Sequence, residues 1–226
     1  MCIRDSIKRS QSWKNLFDPE SKFFRAKNRH FWTPNFNPYE VNFHFTEANA
    51  WQYGYYVPHD VNGFIDFHGG KKNFDKYLDA IFEAKSETDG REQADITGLI
   101  GQYAHGNEPS HHIGYLYNYV DKSWKTQQII SRITNEMYKN DPHGYEGNED
   151  CGQMSAWYVL SAMGIYAVAP GIPVYDIGTP NLKSAKINLE NGNTFTIKAN
   201  NLSKSNIYIQ SATLNGKPMD LSLIHI

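Results

Sequence analysis

Residues 144–158 read GYEGNEDCGQMSAWY, a glycine-rich acidic turn that leads into an apolar segment. Residues 154–168 carry no charge and are apolar on nearly every helical face, which is typical of a helix inside a protein. The free N–H groups at a helix N-terminus stabilise carboxylates, so Glu149 and Asp150 suit a base or a cation ligand. The alternative at this point is that Asp150 is only an N-cap.

The composition narrows the class of protein. A chain of 226 residues with 14% aromatic residues can bury a core, and this length favours one domain or one domain plus a piece of another. The net charge of -2 gives no reason to expect a nucleic-acid partner. No apolar run reaches the ~18 residues of a membrane-spanning helix. The 15 tyrosines and 5 tryptophans suggest a ligand that stacks on rings, such as a sugar, although most rings will be core.

The two ends of the chain need separate treatment. Residues 1–6, MCIRDS, and residues 221–226, LSLIHI, can both be written from one short DNA element read in opposite orientations. That element resembles a transposon end used in sequencing libraries, so we expect both hexapeptides to be artefacts around a metagenomic fragment. Excluding Cys2 leaves Cys151 as the only native thiol, which rules out an intrachain disulfide and a cysteine-based zinc site.

The hydrophobic pattern predicts helices first and strands last. Amphipathic or capped segments predict helices at 7–17, 46–57, 74–82, 95–103, 109–120, 123–139 and after residue 150, with a long aromatic loop over 18–45. Beyond about residue 175, alternating apolar residues flank the turns Asn191-Gly192 and Asn215-Gly216 and predict β structure. We therefore expect a mainly α chain, a bundle or an incomplete α/α toroid, over 7–172, with a β-rich segment over 173–220.

Four polar clusters lie at predicted helix starts or loop ends, where the loops of a toroid would converge. They are Thr46-Glu47, His59-Asp60, residues 107–112 and residues 148–150. Glu47 is flanked by Phe43, Phe45 and Trp51, and apolar neighbours oppose ionisation of a carboxyl, as a general acid requires. The alternative for Glu47 is a surface or capping residue.

The cluster at 107–112 contains both an acid and histidines. Pro109 places Glu108 at a helix start, which stabilises its anion and suits it to a cation or a sugar hydroxyl, or simply to a cap. Adjacent His111 and His112 point about 100° apart on a helix, so they do not easily share one metal ion. A zinc site would need more distant histidines as partners.

Four spaced motifs together resemble glycoside hydrolase family 92, the exo-acting, calcium-dependent α-mannosidases. They are residues 47–53, EANAWQY, residues 57–60, VPHD, residues 106–112, GNEPSHH, and residues 147–158, GNEDCGQMSAWY. The likeness runs in order from about residue 9 to residue 216. It implies the later helices of an (α/α)6 catalytic domain, and an N-terminal β-sandwich that this chain lacks. It also implies a bacterial enzyme that is periplasmic, secreted or on the cell surface, with a glycan as substrate.

The resemblance also implies roles for single residues. Glu47 would be the acid and Asp150 the base of an inverting hydrolysis, with the two carboxyl groups roughly 6.5–9.5 Å apart. Family members can carry a second acid two residues before the base, and this sequence has Asn148 there. A calcium ion would sit on the mannose hydroxyls, with Asn107 and Glu108 as its ligands. Substrate-binding roles are expected for Trp51, His59, Asp60, His111 and Glu149.

Two other functions stay open from sequence alone. The first is a zinc-dependent hydrolase built from the histidines. The second is a non-catalytic carbohydrate-binding fragment, since loss of the other segments would remove half of the site. We expect such a fragment to fold poorly and to have little activity.

Overall fold

The structure is a computed structural model that describes residues 3–221 and 223–225. The prediction that both ends are artefacts falls partly on Met1, Cys2, Ser222 and Ile226, which lie outside the described residues. The chain divides into two compact units, one ending at His111 and the other beginning at His112. No helix in the described part of the chain is long and apolar enough to cross a membrane.

From residue 3 onward, the described part of the first unit contains four α-helices and eight two-residue strands. The helices are α1 Ile3–Ser10, α2 Ala50–Tyr53, α3 Val61–Phe67 and α4 Lys71–Glu83, with 3₁₀ helices at Ser12–Asn15, Pro58–Asp60 and Glu108–Ser110. The strands are β1 Phe17–Asp18, β2 Phe23–Phe24, β3 Lys27–Asn28, β4 Phe31–Trp32, β5 Glu40–Val41, β6 Asp89–Gly90, β7 Leu99–Ile100 and β8 Tyr103–Ala104. β1 with β2, β3 with β4 and β7 with β8 are antiparallel pairs, whereas β5 and β6 are parallel.

The core of the first unit is built on α4 and on edge-to-face aromatic rings. Phe74, Leu78 and Ile81 of α4 are fully buried at positions i, i+4 and i+7, so one face of this helix packs inward as its periodicity predicts. The ring of Phe64 from α3 meets that of Phe74 edge to face, with centroids 5.2 Å apart. Such pairs contribute about 0.5–1.5 kcal/mol beyond the area that they bury.

The second unit begins with helices and ends with hairpins. A 3₁₀ helix at Ile113–Val120 precedes α5 Ser123–Glu136 and α6 Gln153–Met163. The strands are β9 Ile165–Tyr166, β10 Val174–Ile177, β11 Ser184–Asn188, β12 Thr194–Lys198, β13 Ala212–Leu214, β14 Lys217–Met219 and β15 Leu223–His225. β10 lies between β15 and β9, and β11–β12 and β13–β14 are separate antiparallel hairpins. The turn Asn191-Gly192 joins the two strands of the β11–β12 hairpin, and Asn215-Gly216 joins those of β13–β14, as predicted.

The core of the second unit lies between α5, α6 and the 3₁₀ helix before them. Ile130 and Ile133 of α5 are fully buried, and Trp157 of α6 is only 1% exposed. Tyr115 donates a hydrogen bond of 2.8 Å to the Ser161 hydroxyl, which satisfies two buried polar groups inside this core. Asp176 on β10 is also buried, and it accepts bonds from Asn118 and Tyr119.

The prediction of a mainly α chain with a toroid architecture is wrong. Helices hold 34% of the described residues and strands hold 18%, in several small sheets. Residues 95–103 form no helix, because Gly98 and Gly101 have positive φ and the chain turns back as the β7–β8 hairpin. A Cβ on Gly101 would collide with the backbone of Ile81 and Phe82, so this turn needs glycine.

Other predicted helices exist but are shorter or of another type. The segment 46–57 yields only α2, because Asn49 caps the helix at Ala50 and Gly54 follows its last residue. Residues 109–120 form two 3₁₀ helices instead of one α-helix. The predicted apolar helix ends at Met163, because Gly164 adopts a left-handed C-cap. This helix is not buried all round, since Val159 is 52% exposed.

Candidate active site

Glu47 lies in a turn of the first unit whose backbone is held by a buried amide. Its φ of 58° is left-handed, a conformation that costs most non-glycine residues about 1–2 kcal/mol. The Asn107 side-chain Nδ2 donates a hydrogen bond of 3.0 Å to the Glu47 carbonyl oxygen. Asn107 is only 4% exposed, whereas Glu47 itself is exposed. The structure therefore joins two of the predicted site residues and leaves the carboxyl facing solvent.

The residues that follow Glu47 are fixed by a network of buried amides. Asn49 caps α2 because its side-chain oxygen accepts hydrogen bonds from the Trp51 and Gln52 N–H groups. In return, the Asn49 backbone N–H donates a hydrogen bond to Gln52 Oε1. The Asn49 side-chain amide donates a hydrogen bond of 2.8 Å to Gln102 Oε1. Gln102 in turn donates to the carbonyl oxygens of Lys85 and Glu87. Every member of this network is uncharged.

Tyr53 at the end of α2 belongs to the same neighbourhood. Partial burial raises the pKa of the Tyr53 phenol, and the nearby charges of Glu47 and Glu108 raise it further. Glu47, Tyr53 and Glu108 thus share one electrostatic environment within the first unit.

The apolar surroundings expected for Glu47 are not formed by the described residues of this unit. Phe43 is 92% exposed, and its ring lies 5.0 Å from the Arg91 guanidinium. Phe45 stacks on Tyr53 with ring centroids 5.9 Å apart. Neither ring encloses the carboxyl, so proximity in sequence overstated the burial of Glu47.

The loop that carries Asn107 and Glu108 rests on two buried histidines. The Tyr103 hydroxyl and His105 Nδ1 are 2.9 Å apart, and His111 Nε2 lies 2.9 Å from the His105 carbonyl oxygen. Burial lowers the pKa of His111 to about 4 and the pKa of His105 well below its usual range. Both rings are therefore neutral at pH 7 and act as supports. His111, at 2% exposure, lies behind the loop instead of presenting its ring to a substrate.

The other predicted binding residues of the first unit have local partners. His59 Nε2 lies 2.9 Å from the Ser10 carbonyl oxygen, and Asp60 caps α3 while accepting a 2.7 Å bond from Gln11. Among the described residues, no hydrogen bond joins His59 or Asp60 to Glu47. Trp51 packs edge to face on Phe23 at 4.8 Å, which favours a packing role over sugar stacking.

Glu149 in the acidic turn of the second unit caps α6. Its carboxylate accepts hydrogen bonds from the N–H groups of Gly152 and Ser155 at the start of this helix. The Ser155 hydroxyl and these N–H groups lower the pKa of Glu149. Because both Glu149 carboxylate oxygens serve the helix, a substrate-binding role would have to compete with the cap. Asp150 adopts a left-handed φ of 56° and is half-buried.

The metal predictions can be compared with the donor atoms present. No three His, Cys, Asp or Glu side chains gather into a metal-binding group within residues 3–221. This arrangement gives a zinc site no ligand set among those residues. Calcium prefers oxygen ligands, and Asn107 and Glu108 offer an amide oxygen and a carboxylate side by side. The donor chemistry fits calcium, with most of its roughly six to eight oxygens left to other ligands.

Sequence reasoning missed the network of buried amides around Asn49 and Gln102. Asn49 and Gln52 stand three residues apart before an apolar segment, which is the spacing of a capping box. That signal was readable and would have moved the start of α2 from residue 46 to Ala50. The contacts of Gln102 and Asn107 are long-range, and no local pattern indicates them.

A model of the family described as the glycosyl hydrolase family 92 catalytic domain matches residues 4–226. The chain belongs to this family. It is also similar to an uncharacterised secreted glycosidase of Arthroderma benhamiae, with 29% identity over 174 residues, 76% of this chain and 20% of that protein. The family 92 chain thus spans about a fifth of that curated relative.

Solved structures of family 92 enzymes have the same fold. An α-mannosidase of Bacteroides thetaiotaomicron in complex with mannoimidazole is 38% identical, with a TM-score of 0.88 over 97% of this chain and 30% of that one. An inverting mannosidase of the same bacterium is 33% identical, with a TM-score of 0.85 over 98% of this chain and 31% of that one. The prediction of the family is confirmed.

Proposed function

We propose that the full-length enzyme containing this chain hydrolyses terminal α-linked mannose from glycans with inversion at the anomeric carbon. Glu47 would be the general acid and Asp150 the general base. Membership of family 92 supports a glycosidase, and two similar solved structures are described as mannosidases. The secreted relative supports a location outside the cytoplasm, such as the periplasm or cell surface.

The backbone conformation of the two carboxylates supports placing both of them in the active site, and the family resemblance supplies their separate roles. Glu47 and Asp150 both have left-handed φ angles, 58° and 56°, in turns next to a helix start. Residues held in sparsely populated conformations cluster at active sites, where the surrounding structure fixes them. Glu149, beside Asp150, accepts hydrogen bonds from the Gly152 and Ser155 N–H groups at the start of α6.

The chemistry requires opposite protonation states of these two residues. The Glu47 carboxyl would donate its proton to the glycosidic oxygen as the bond to the anomeric carbon breaks. Asp150 would take a proton from the water that attacks the opposite face of the sugar, for which the two carboxyl groups must stand roughly 6.5–9.5 Å apart. The configuration at the anomeric carbon is then inverted, because water attacks the face opposite to the leaving group.

Calcium would be held by Asn107 Oδ1 and the Glu108 carboxylate. When bound, the ion would polarise and orient the mannose hydroxyls. Asn107 is suited to this task because its Nδ2 is committed to the Glu47 carbonyl, which fixes the direction of its amide oxygen. Glu108 is exposed and therefore accessible to a ligand.

Substitution of each carboxylate tests the proposal in the full-length enzyme. Glu47→Gln should reduce kcat/KM by about 10²–10⁴-fold on an alkyl mannoside and far less on a dinitrophenyl mannoside, which needs no proton for departure. Asp150→Asn should impair both substrates. Equal losses for Glu47→Gln on the two substrates would move the acid role elsewhere, first to Glu108.

Two further measurements bear on the same proposal. NMR of the first product should show β-mannose, and release of α-mannose would contradict inversion. Activity should fall with a calcium chelator and return with added calcium, whereas bound zinc with activity unaffected by that chelator would favour the zinc hydrolase. The isolated 226-residue chain should release little mannose, so that efficient release by it would show that the rest of the enzyme is dispensable.

A further inference from the structure

We infer that Asn107 is a positioning residue for the general acid, acting through the backbone of Glu47. This inference rests on the proposed function, in which Glu47 protonates the leaving group. The observation is the 3.0 Å hydrogen bond from Asn107 Nδ2 to the Glu47 carbonyl oxygen, made by a side chain that is 4% exposed. Asn107 does not contact the Glu47 carboxyl in this bond.

The direction of the Glu47 side chain depends on that backbone. The left-handed φ of Glu47 sets the direction of its Cα–Cβ bond, and such a conformation persists only where the surrounding structure holds it. The hydrogen bond from Asn107 holds the carbonyl group of Glu47 itself. Two residues later, Asn49 is fixed by α2 and by its 2.8 Å bond to Gln102. The turn is thus pinned at both ends by uncharged buried amides.

Asn107 can act as a pin because its own loop is rigid. His105 and His111 are buried in this loop and are joined by the 2.9 Å contact between His111 Nε2 and the His105 carbonyl oxygen. Gly106 packs so tightly against Thr97 that a Cβ there would collide with the threonine hydroxyl. A displaced Glu47 carboxyl would not reach the leaving oxygen.

The two ends of the Asn107 amide would have separable duties. Nδ2 would position Glu47, and Oδ1 would be the proposed calcium ligand. Asn107→Asp separates them, because it keeps an oxygen for calcium and replaces the N–H donor by a second oxygen. The introduced carboxylate has no N–H donor and would repel the Glu47 carbonyl.

The experiment is carried out in the full-length enzyme. For Asn107→Asp we expect a loss of about 10²-fold in kcat/KM on an alkyl mannoside, the usual cost of misplacing a reacting group, and a loss of only a few fold on a dinitrophenyl mannoside. Asn107→Ala should show the same leaving-group dependence, because it also removes the N–H donor to the Glu47 carbonyl.

A matched control separates positioning from loss of stability. Asn118 in the second unit is 3% exposed and donates a 3.1 Å bond to the Ile177 carbonyl, so Asn118→Ser removes a comparable buried amide. We expect this variant to lower the thermal midpoint without any leaving-group dependence. Calcium titration of Asn107→Asp should give an affinity no weaker than that of wild type.

The outcomes distinguish this inference from the proposed function. Equal losses on both mannosides for Asn107→Asp, or no loss on either, would overturn the positioning role. If Glu47→Gln shows leaving-group dependence and Asn107→Asp does not, only the inference fails. If Glu47→Gln shows none, the assignment of the acid fails first.

Discussion

The turns that carry Glu47 and Asp150 have nearly the same φ but are stabilised by different chemistry. The Glu47 turn is held by amides, Asn49, Gln102 and Asn107, all buried and uncharged. The Asp150 turn is held by a solvent-accessible carboxylate, Glu149, which caps α6. Hydrogen bonds between side-chain amides do not depend on pH, because amides do not titrate, whereas the Glu149 cap depends on the ionisation of a carboxyl group. The first turn should therefore be insensitive to pH and the second sensitive to acid.

The largest pH-dependent effect on stability is expected from Asp176, the buried acid of the second unit. Burial raises the pKa of Asp176 to about 7, although Asn118 and Tyr119 donate to its carboxylate. A raised folded-state pKa means that its contribution to stability is complete below about pH 3.8 and is lost as pH rises to about 7. Asp176→Asn should remove this slope, which amounts to on the order of 4 kcal/mol.

Urea titrations of the full-length enzyme at several pH values check this expectation. The variant should be more stable than wild type at pH 8 and should lose that advantage toward pH 4. An unchanged slope would show that Asp176 is ionised throughout, and the contrast between the units would then rest on Glu149 alone.

A smaller effect is expected from the amide network. Gln102→Leu leaves the Asn49 amide and the carbonyls of Lys85 and Glu87 without their partner, so it should cost about 2–3 kcal/mol of unfolding free energy. The loss should be the same at pH 5 and pH 8. Gln128→Leu on the exposed face of α5 is the control and should change little. A loss that varied with pH would contradict an uncharged support for the Glu47 turn.

The smallest effect is expected at the acidic turn. Glu149→Gln keeps the shape of the cap but removes its charge, so the thermal midpoint should fall slightly at pH 7. Because hydrogen bonds lower the pKa of Glu149 below 4.5, its contribution is present above about pH 4.5 and is lost as pH falls further. The variant and wild type should converge in acid. Glu190→Gln, on an exposed hairpin, should not differ from wild type at any pH. Equal thermal midpoints of Glu149→Gln and wild type at pH 7 would refute the charged cap.

Local patterns predicted the elements that depend on local chemistry. The i, i+4, i+7 spacing of Phe74, Leu78 and Ile81 identified α4, and Asn191-Gly192 identified the β11–β12 hairpin. The helix predicted at 95–103 failed, because the positive φ of Gly101 is imposed by its contact with the Ile81 carbonyl, a residue 20 positions away. The mainly α class failed with it.

The site shows the same division. Motif order identified Glu47, Asn107 and Asp150, and the structure joins the first two by a hydrogen bond. Sequence could not tell that Glu149 would cap α6, since the reach of each acid before a helix depends on the backbone geometry of the turn. It also placed His111 at the substrate, although its burial depends on the loop above it.

The segment from Gly106 to His111 has one more consequence, for the thermodynamics of ligand binding. Glu108 is its only exposed residue, and the other five are buried against the first unit. A ligand that meets Glu108 encounters a surface that is already ordered, so little conformational entropy remains to be lost on binding. Calorimetry should then attribute the affinity gained through Glu108 mainly to enthalpy and desolvation, with no folding of the loop in the heat-capacity change.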